Sequence, residues 1–381
     1  MLNKNDYEQL LHIRRHLHAH PEVSGQEYRT ARFVAEQLKK CQPTVLLEQI
    51  GGTGVVAIFD SGKAGKALLF RAELDALPIQ EVNDFAHRSI YPKVSHKCGH
   101  DGHVTVLLGL AQYLAKQPIQ SGKVILLFQP AEEDGTGAEK MLRDPKMERI
   151  QPDYVFAFHN LPGYPLHQVV LKKGSFTAAV KSIIIELIGK TSHAAEPEKG
   201  INPTLAITEI LTKTNALSNN QPDRKDFALI TPVHIEMGSI AYGVSAGKGI
   251  IRLTYRTWTE AVMEALTEQI LAIIEEAATK HQLQTNITWT DAFRANQNDD
   301  VAVEYIRQVA QQQNLSITER AFPIKWGEDF GWFTQAFKGA MFGIGSGLEQ
   351  PALHNPDYDF PDVLIVTGVE LFAGIISICI E

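Results

Sequence analysis

The chain has 381 residues, 44% apolar, 21% charged and 8% aromatic, with a formal net charge of −8. At about 150 residues per domain this predicts two or three domains, with core enough to dispense with disulfide staples. The acidic balance, without a basic run anywhere, excludes a nucleic-acid surface and a patch that holds anionic lipid.

Residues 6–40 read as helix, with Leu10, Ile13 and Leu17 and then Ala31, Val34 and Leu38 at helical spacing. Gly51-Gly52-Thr53-Gly54 breaks the chain before a strand at 55–59. A short strand at 67–70 follows, then a helix at 103–116 and fully apolar strands at 123–129 and 154–159. Apolar strands alternating with helices predict an α/β core with a sheet covered on both faces. The middle changes character: strand 181–189, helix 203–217, strands 228–236 and 249–256, helix 260–282 and strand 286–290. That order is the ferredoxin-like split pattern. It predicts a compact insert at 181–290 in a discontinuous α/β domain of 1–180 and 291–381, with hinges at 172–174 and 292–300. The main domain resumes with a helix at 301–314. The apolar runs 104–114 and 371–380 are shorter than the roughly 20 residues of a membrane span. Residues 1–20 are polar and charged, unlike a signal peptide. Three scattered cysteines, Cys41, Cys98 and Cys379, make no disulfide framework, so a cytoplasmic protein is expected.

Chemistry concentrates in a few short stretches. Cys98-Gly99-His100-Asp101-Gly102-His103 holds four metal-capable side chains in six residues, and Gly99 permits the tight turn that lets Cys98 and His100 face one ion. Glu132-Glu133 leaves the carboxyl end of an apolar strand, where sites form in open α/β sheets. Adjacent glutamates point apart, so one can ligate a metal while the other takes a proton from water. His159 closes another strand, and His354 stands far down the chain in Leu353-His354-Asn355-Pro356-Asp357-Tyr358-Asp359-Phe360. Asp75, in Arg71-Ala72-Glu73-Leu74-Asp75-Ala76-Leu77-Pro78, is placed to orient a ligand histidine. Each stretch alone also has a plainer reading: a solvated turn, a charged loop, a core histidine, a structural turn acid. Gly189-Lys190-Thr191 is not a phosphate loop, since Ile184 holds the required glycine position, and Leu348 breaks dinucleotide spacing after Gly343 and Gly345.

Taken in order, from Arg14-Arg15-His16-Leu17-His18-Ala19-His20-Pro21-Glu22 to the His354 stretch, the motifs resemble the dinuclear-metal aminoacylase and carboxypeptidase family. The closest likeness is to its amidohydrolase branch of N-acyl-amino-acid, hippurate and indole-acetyl-amino-acid hydrolases and N-acetyldiaminopimelate deacetylases. The resemblance implies a metallohydrolase α/β domain with an inserted ferredoxin-like α+β lid and dimerisation domain, and a homodimer formed through that lid. It implies two divalent ions per subunit on Cys98, His100, Glu133, His159 and His354, with Glu132 as general base and Asp75 behind the ligands. Zinc or manganese suits this donor set, and cobalt or nickel is admitted. His193, in Ser192-His193-Ala194-Ala195, matches the lid histidine that polarises the scissile carbonyl, and Arg256 is a candidate grip for a substrate carboxylate. The expected activity is hydrolysis of the amide bond of N-acyl amino acids. The rivals are a metal-dependent dipeptidase or carboxypeptidase, and a non-catalytic ligand-binding member of the fold. The chain departs from the family pattern at Glu73, where Asp is usual, at Pro197-Glu198 after the lid histidine, and at Tyr242-Gly243-Val244-Ser245-Ala246-Gly247. These departures bear on specificity and spare the metal ligands.

Overall fold

The computed structural model describes residues 3–380, apart from the side chain of Asp291. Its backbone falls into two units: one runs to Phe176 and resumes over Asn296–Ala321 and from Glu328, and the other comprises Thr177–Ala295 and Phe322–Gly327.

The first unit opens with α1 (Lys4–Ala19) and α2 (Tyr28–Lys40), where the sequence predicts one helix. The break lies at His20-Pro21: the ring of a proline disfavours helical geometry in the residue before it. The second start is capped from a distance, because the Glu22 carboxylate accepts from the N–H groups of Arg29 and Thr30 at 2.8 Å each. There follow β1 (Val45–Ile50), β2 (Gly54–Asp60), β3 (Ala67–Glu73), α3 (His100–Lys116), β4 (Lys123–Gln129), α4 (Gly137–Leu142), β5 (Tyr154–Pro162), β6 (Val169–Leu171) and β7 (Gly174–Thr177).

The second unit holds β8 (Ala179–Ile188), β9 (Ser192–His193), α5 (Thr204–Leu217), β10 (Ala228–Met237), β11 (Val244–Ser245), β12 (Lys248–Thr257), α6 (Glu260–Lys280) and β13 (Gln284–Phe293). Its main sheet is antiparallel in the order β10-β12-β8-β13. Ile183, Ile185, Leu187, Ile251, Leu253 and Tyr255 alternate along β8 and β12 and pack in one core with Ile207, Ile210, Leu266 and Ile270 of the two helices. The chain then returns to the first unit with β14 (Asn296–Asn298), α7 (Asp300–Gln312), β15 (Ile317–Glu319), α8 (Gly331–Ala336), β16 (Gly339–Gly347) and α9 (Leu364–Ile380).

The first unit's sheet has eight strands, ordered β1-β2-β4-β3-β5-β16-β6-β15. Its centre, β4-β3-β5-β16, is parallel, so the carboxyl ends of these strands emerge on one side. Each is almost wholly buried, as parallel strands with covered faces must be. No helix among the described residues is long and apolar enough to cross a membrane.

A buried ionic network ties α1 to the start of α3. The His18 ring sits between Asp101 (2.7 Å from Nδ1) and Glu81 (3.0 Å from Nε2), and Arg14 bonds Asp359 at 2.6 Å. Burial opposes charge on His18, but Asp101 and Glu81 overcome it and raise the ring to about 9. A folded pKa above the ordinary 6.5 means stabilisation that is complete below pH 6.5 and lost as pH rises through about 9. His18→Gln is therefore expected to lose about 3 kcal/mol relative to the native chain at pH 6 and far less at pH 9.5. Urea unfolding at the two pH values reads this out; an equal gap at both would count against the charged ring.

Candidate metal centre and active site

The parallel strands deliver the candidate residues to one side of the sheet. β3 runs out through Glu73 to Asp75, β4 into Glu132 and Glu133, and β5 carries His159 near its end. Cys98 and His100 flank Gly99, whose φ of +97° turns the chain into α3. A Cβ at Gly99 would lie 2.6 Å from the Asn160 side chain, so the turn needs glycine for both space and conformation. His354 comes in on a loop whose backbone N–H bonds the Lys97 carbonyl at 2.8 Å.

The donor atoms converge. Those of Cys98, His100 and His159 lie within 4.8 Å of one another, as do those of Cys98, Glu133 and His354 and those of His100, Glu132 and Glu133. Cys98 Sγ is 3.4 Å from His159 Nε2, and His354 Nε2 is 3.6 Å from Glu133 Oε2. His100 Nε2 stands 3.8 Å from Glu132 and 3.9 Å from Glu133. His100, His159 and Cys98 are buried, whereas the His354 side chain is 52% exposed. Asp75 backs the group: its carbonyl accepts His100 Nδ1 at 3.0 Å, and its Oδ2 accepts the Glu133 N–H at 3.0 Å and the Ser24 hydroxyl at 2.7 Å.

Two observations fit a divalent cation here. His100 Nε2, Glu133 Oε1 and Asp75 Oδ1 are buried without a hydrogen-bond partner, and buried polar atoms left so are rare. The protonation pattern is also unsuited to a closed protein network. Burial, then Glu133 and Glu132, push the Cys98 thiol well up, so a thiolate needs a cation. Burial likewise raises Glu133 to about 7 and Glu132 well above the usual carboxylate range, where Glu328 adds to the effect. Burial and His103 hold His159 well down, so its imidazole is neutral, as a ligand requires. One thiol, imidazoles and carboxylates form a mixed donor set for a borderline transition metal.

His193 and Arg256 belong to the second unit. His193 is exposed on β9, paired with Val244 of β11, and its Nδ1 accepts the Ala195 N–H at 3.0 Å, which leaves Nε2–H as the ring donor. Arg256 is half-buried on β12, desolvation pushes its pKa down, and among the described residues no carboxylate pairs with it. The variant segment 242–247 forms the turn into β11 and β12, with Tyr242 99% exposed.

Sequence reasoning missed a second buried group beside Glu132. Arg71 donates to Gln129 (2.9 Å), Glu328 (2.7 Å) and Asp329 (2.7 Å), and also to Glu73, which accepts from His103. The available signal was a charged residue directly after the apolar run Ala67-Leu68-Leu69-Phe70, since a charge in a covered strand must be paired. Asn160 was also missed as a hub: it bonds the Cys98 carbonyl at 3.1 Å and His103 Nε2 at 2.5 Å.

The chain is similar to known proteins over most of its length. The family model described as peptidase family M20/M25/M40 matches residues 69–377. A hippurate hydrolase of Campylobacter jejuni is 32% identical over 365 residues, covering 95% of this chain and 94% of the relative. An N-acetyl-L-cysteine deacetylase of Bacillus subtilis is 32% identical over 364 residues, covering 94% and 85%. Among solved structures, an aminohydrolase from methicillin-resistant Staphylococcus aureus superposes with a TM-score of 0.88 at 25% identity, covering 99% of this chain and 98% of that one. A Bacillus subtilis protein described as a dinuclear metal binding peptidase of the M20 family gives 0.84 at 26% identity, covering 100% and 99%.

Proposed function

This chain belongs to peptidase family M20/M25/M40, and from that premise we propose that it is a metal-dependent amidohydrolase that cleaves the amide bond of N-acyl amino acids. The observation that carries the reading is the convergence of Cys98, His100, Glu133, His159 and His354 at the carboxyl ends of parallel strands, with Glu132 beside them. Those five are assigned as ligands of two divalent ions per subunit, zinc or manganese first, with cobalt or nickel admitted. When bound, such ions polarise the amide carbonyl and acidify water.

The chain's own residues do the rest. Glu132 takes the proton of the attacking water and hands it to the leaving nitrogen. Asp75 keeps the His100 ring turned by accepting at Nδ1 through its carbonyl, so that Nε2 faces the donor group. His193 donates from Nε2 to the developing oxyanion. Arg256, which lacks a counter-ion among the described residues, grips the substrate carboxylate in a bidentate pair.

The second unit is assigned as lid and dimerisation domain. In support, residues 231–237 of the edge strand β10 are exposed, with Val233, Ile235 and Met237 recurring at strand spacing. An uncovered apolar edge of this kind suits pairing with a second copy about a two-fold axis. The three cysteines are free thiols, in keeping with a reducing cytoplasm.

The test is a hydrolysis panel of N-acetyl, N-benzoyl and indole-acetyl amino acids against dipeptides, with manganese and zinc compared. Release of free amino acid from the acyl substrates is expected, abolished by chelator and restored by metal. Cleavage of free-amino dipeptides alone would favour a peptidase, and no turnover at full metal occupancy would favour a binding protein. Chelation is also expected to lower the melting temperature: a ligand present at 100 times its Kd stabilises by about 2.7 kcal/mol.

A further inference from the structure

We propose that Glu27 is a positioning residue for Glu132, holding the backbone turn that presents the Glu132 carboxylate. This rests on the assignment of Glu132 as the base. Ala131, directly before it, has a φ of +51°, a left-handed conformation that a residue with a Cβ adopts only when its surroundings enforce it. The enforcing contact is Glu27. Its Oε1 accepts the Ala131 N–H at 2.9 Å and the Gly25 N–H at 2.7 Å, while its Oε2 accepts the Thr53 hydroxyl at 2.7 Å. On the other side of the base, Asp75 accepts the Glu133 N–H at 3.0 Å and the Ser24 hydroxyl at 2.7 Å. The two amides that bracket Glu132 therefore both end on carboxylates tied to residues 24–27. The turn is closed behind by the Ala131 carbonyl, which accepts from Gly137 at 3.0 Å.

Glu27 is fully buried, and among the described residues no Lys, Arg or His pairs with it. A carboxylate kept in the interior on neutral donors alone is a costly choice for a spacer. One of its three acceptor contacts, the Ala131 N–H, lies in the turn from β4 into Glu132 and Glu133, and the Gly25 N–H and Thr53 hydroxyl hold the carboxylate in place behind it. Residues 24–27 supply none of the assigned metal ligands, so the role left to Glu27 is to fix where Glu132 stands.

The experiment compares Glu27→Ala, Glu27→Asp and Glu27→Gln in the full-length, metal-loaded protein, each alone and with Glu132→Gln. Glu27→Ala is expected to lower kcat about 10- to 100-fold with KM little changed, the scale of a misplacement near 1 Å. Glu27→Asp keeps the charge but withdraws it by a methylene and loses nearly as much. Glu27→Gln retains an acceptor oxygen for Ala131 and recovers most of the loss. With Glu132→Gln already present, Glu27→Ala adds no further loss, because both act through one carboxylate. Hydrogen exchange at residues 131–133 quickens in Glu27→Ala and Glu27→Asp and stays slow in Glu27→Gln, with metal content unchanged. Equal fold-losses in both backgrounds, or unaltered exchange at 131–133, overturn the proposal. Should the native protein hydrolyse no acyl amino acid, the assignment of the base falls, and the exchange measurement still decides whether Glu27 holds the turn.

Discussion

Glu132→Gln is expected to lower kcat by two to four orders of magnitude while leaving metal content and KM close to native, because positioned proton transfer is worth about that much. Glutamine keeps the size and shape of the side chain but cannot take a proton from water. Its neighbour gives the contrast. Glu133 belongs to two different donor trios, each with its ligand atoms within 4.8 Å of one another, so Glu133→Gln is expected to lose metal as well as turnover. Glu132 is 5% exposed, and burial together with Glu328 and Glu133 holds its acid form well up, so the charge there is a burden on the fold. Glu132→Gln removes that burden, and its melting temperature is expected to equal or exceed the native value, a trade of stability for function. Steady-state kinetics, metal analysis and a thermal melt on one preparation check all three statements. Near-native turnover by Glu132→Gln would falsify the role given to this carboxylate.

The side chains that converge at the strand ends were legible because they belong to the few residue types able to hold a metal and lie there in short runs. Cys98 and His100 are two apart, Glu132 and Glu133 adjacent, and each run follows an apolar strand or opens a helix. The supporting residues were not legible, because their partners are far away in sequence: Arg71 and Glu328 are 257 positions apart, and Glu27 and Ala131 are 104 apart. Among elements, the apolar strands and the alternation in the second unit read directly, whereas β16 did not. Its run Gly339-Ala340-Met341-Phe342-Gly343-Ile344-Gly345 has low strand propensity, and packing overrides it. A Cβ at Gly343 would lie 2.2 Å from the Leu161 side chain, and one at Gly345 2.0 Å from the Pro165 carbonyl. The glycines thus mark close approach of neighbouring segments and not a nucleotide turn. The second excursion into the second unit, at residues 322–327, carries no glycine-rich linker signal beyond Gly327 and was missed for that reason.

The second large effect concerns the fold that carries Glu132. Arg71→Met is expected to destabilise the protein by about 3–5 kcal/mol, the range for deleting one partner of a buried ion pair. That is a large share of the roughly 5–15 kcal/mol that holds a domain together. The magnitude follows from what is left behind. Arg71 is 1% exposed and its guanidinium serves Glu73, Gln129, Glu328 and Asp329, all at 1% exposure or less. Without it, three carboxylates remain in the interior with Gln129, the Ala138 N–H, the Phe330 N–H and His103 as their donors. The lost contact matters less than this residue of unpaired charge. Arg71→Lys is therefore expected to fall between, since one ammonium cannot span the acceptors of a planar five-donor fork. Arg71→Met combined with Glu328→Gln and Asp329→Asn is expected to recover much of the loss, because it removes two of the stranded charges. Urea unfolding of the four proteins at one pH and fixed metal concentration measures this. A single-variant loss under 1 kcal/mol, or no recovery in the combined variant, would mean that hydration reaches this cluster. The field around Glu132 would then be weaker than its burial beside Glu328 indicates.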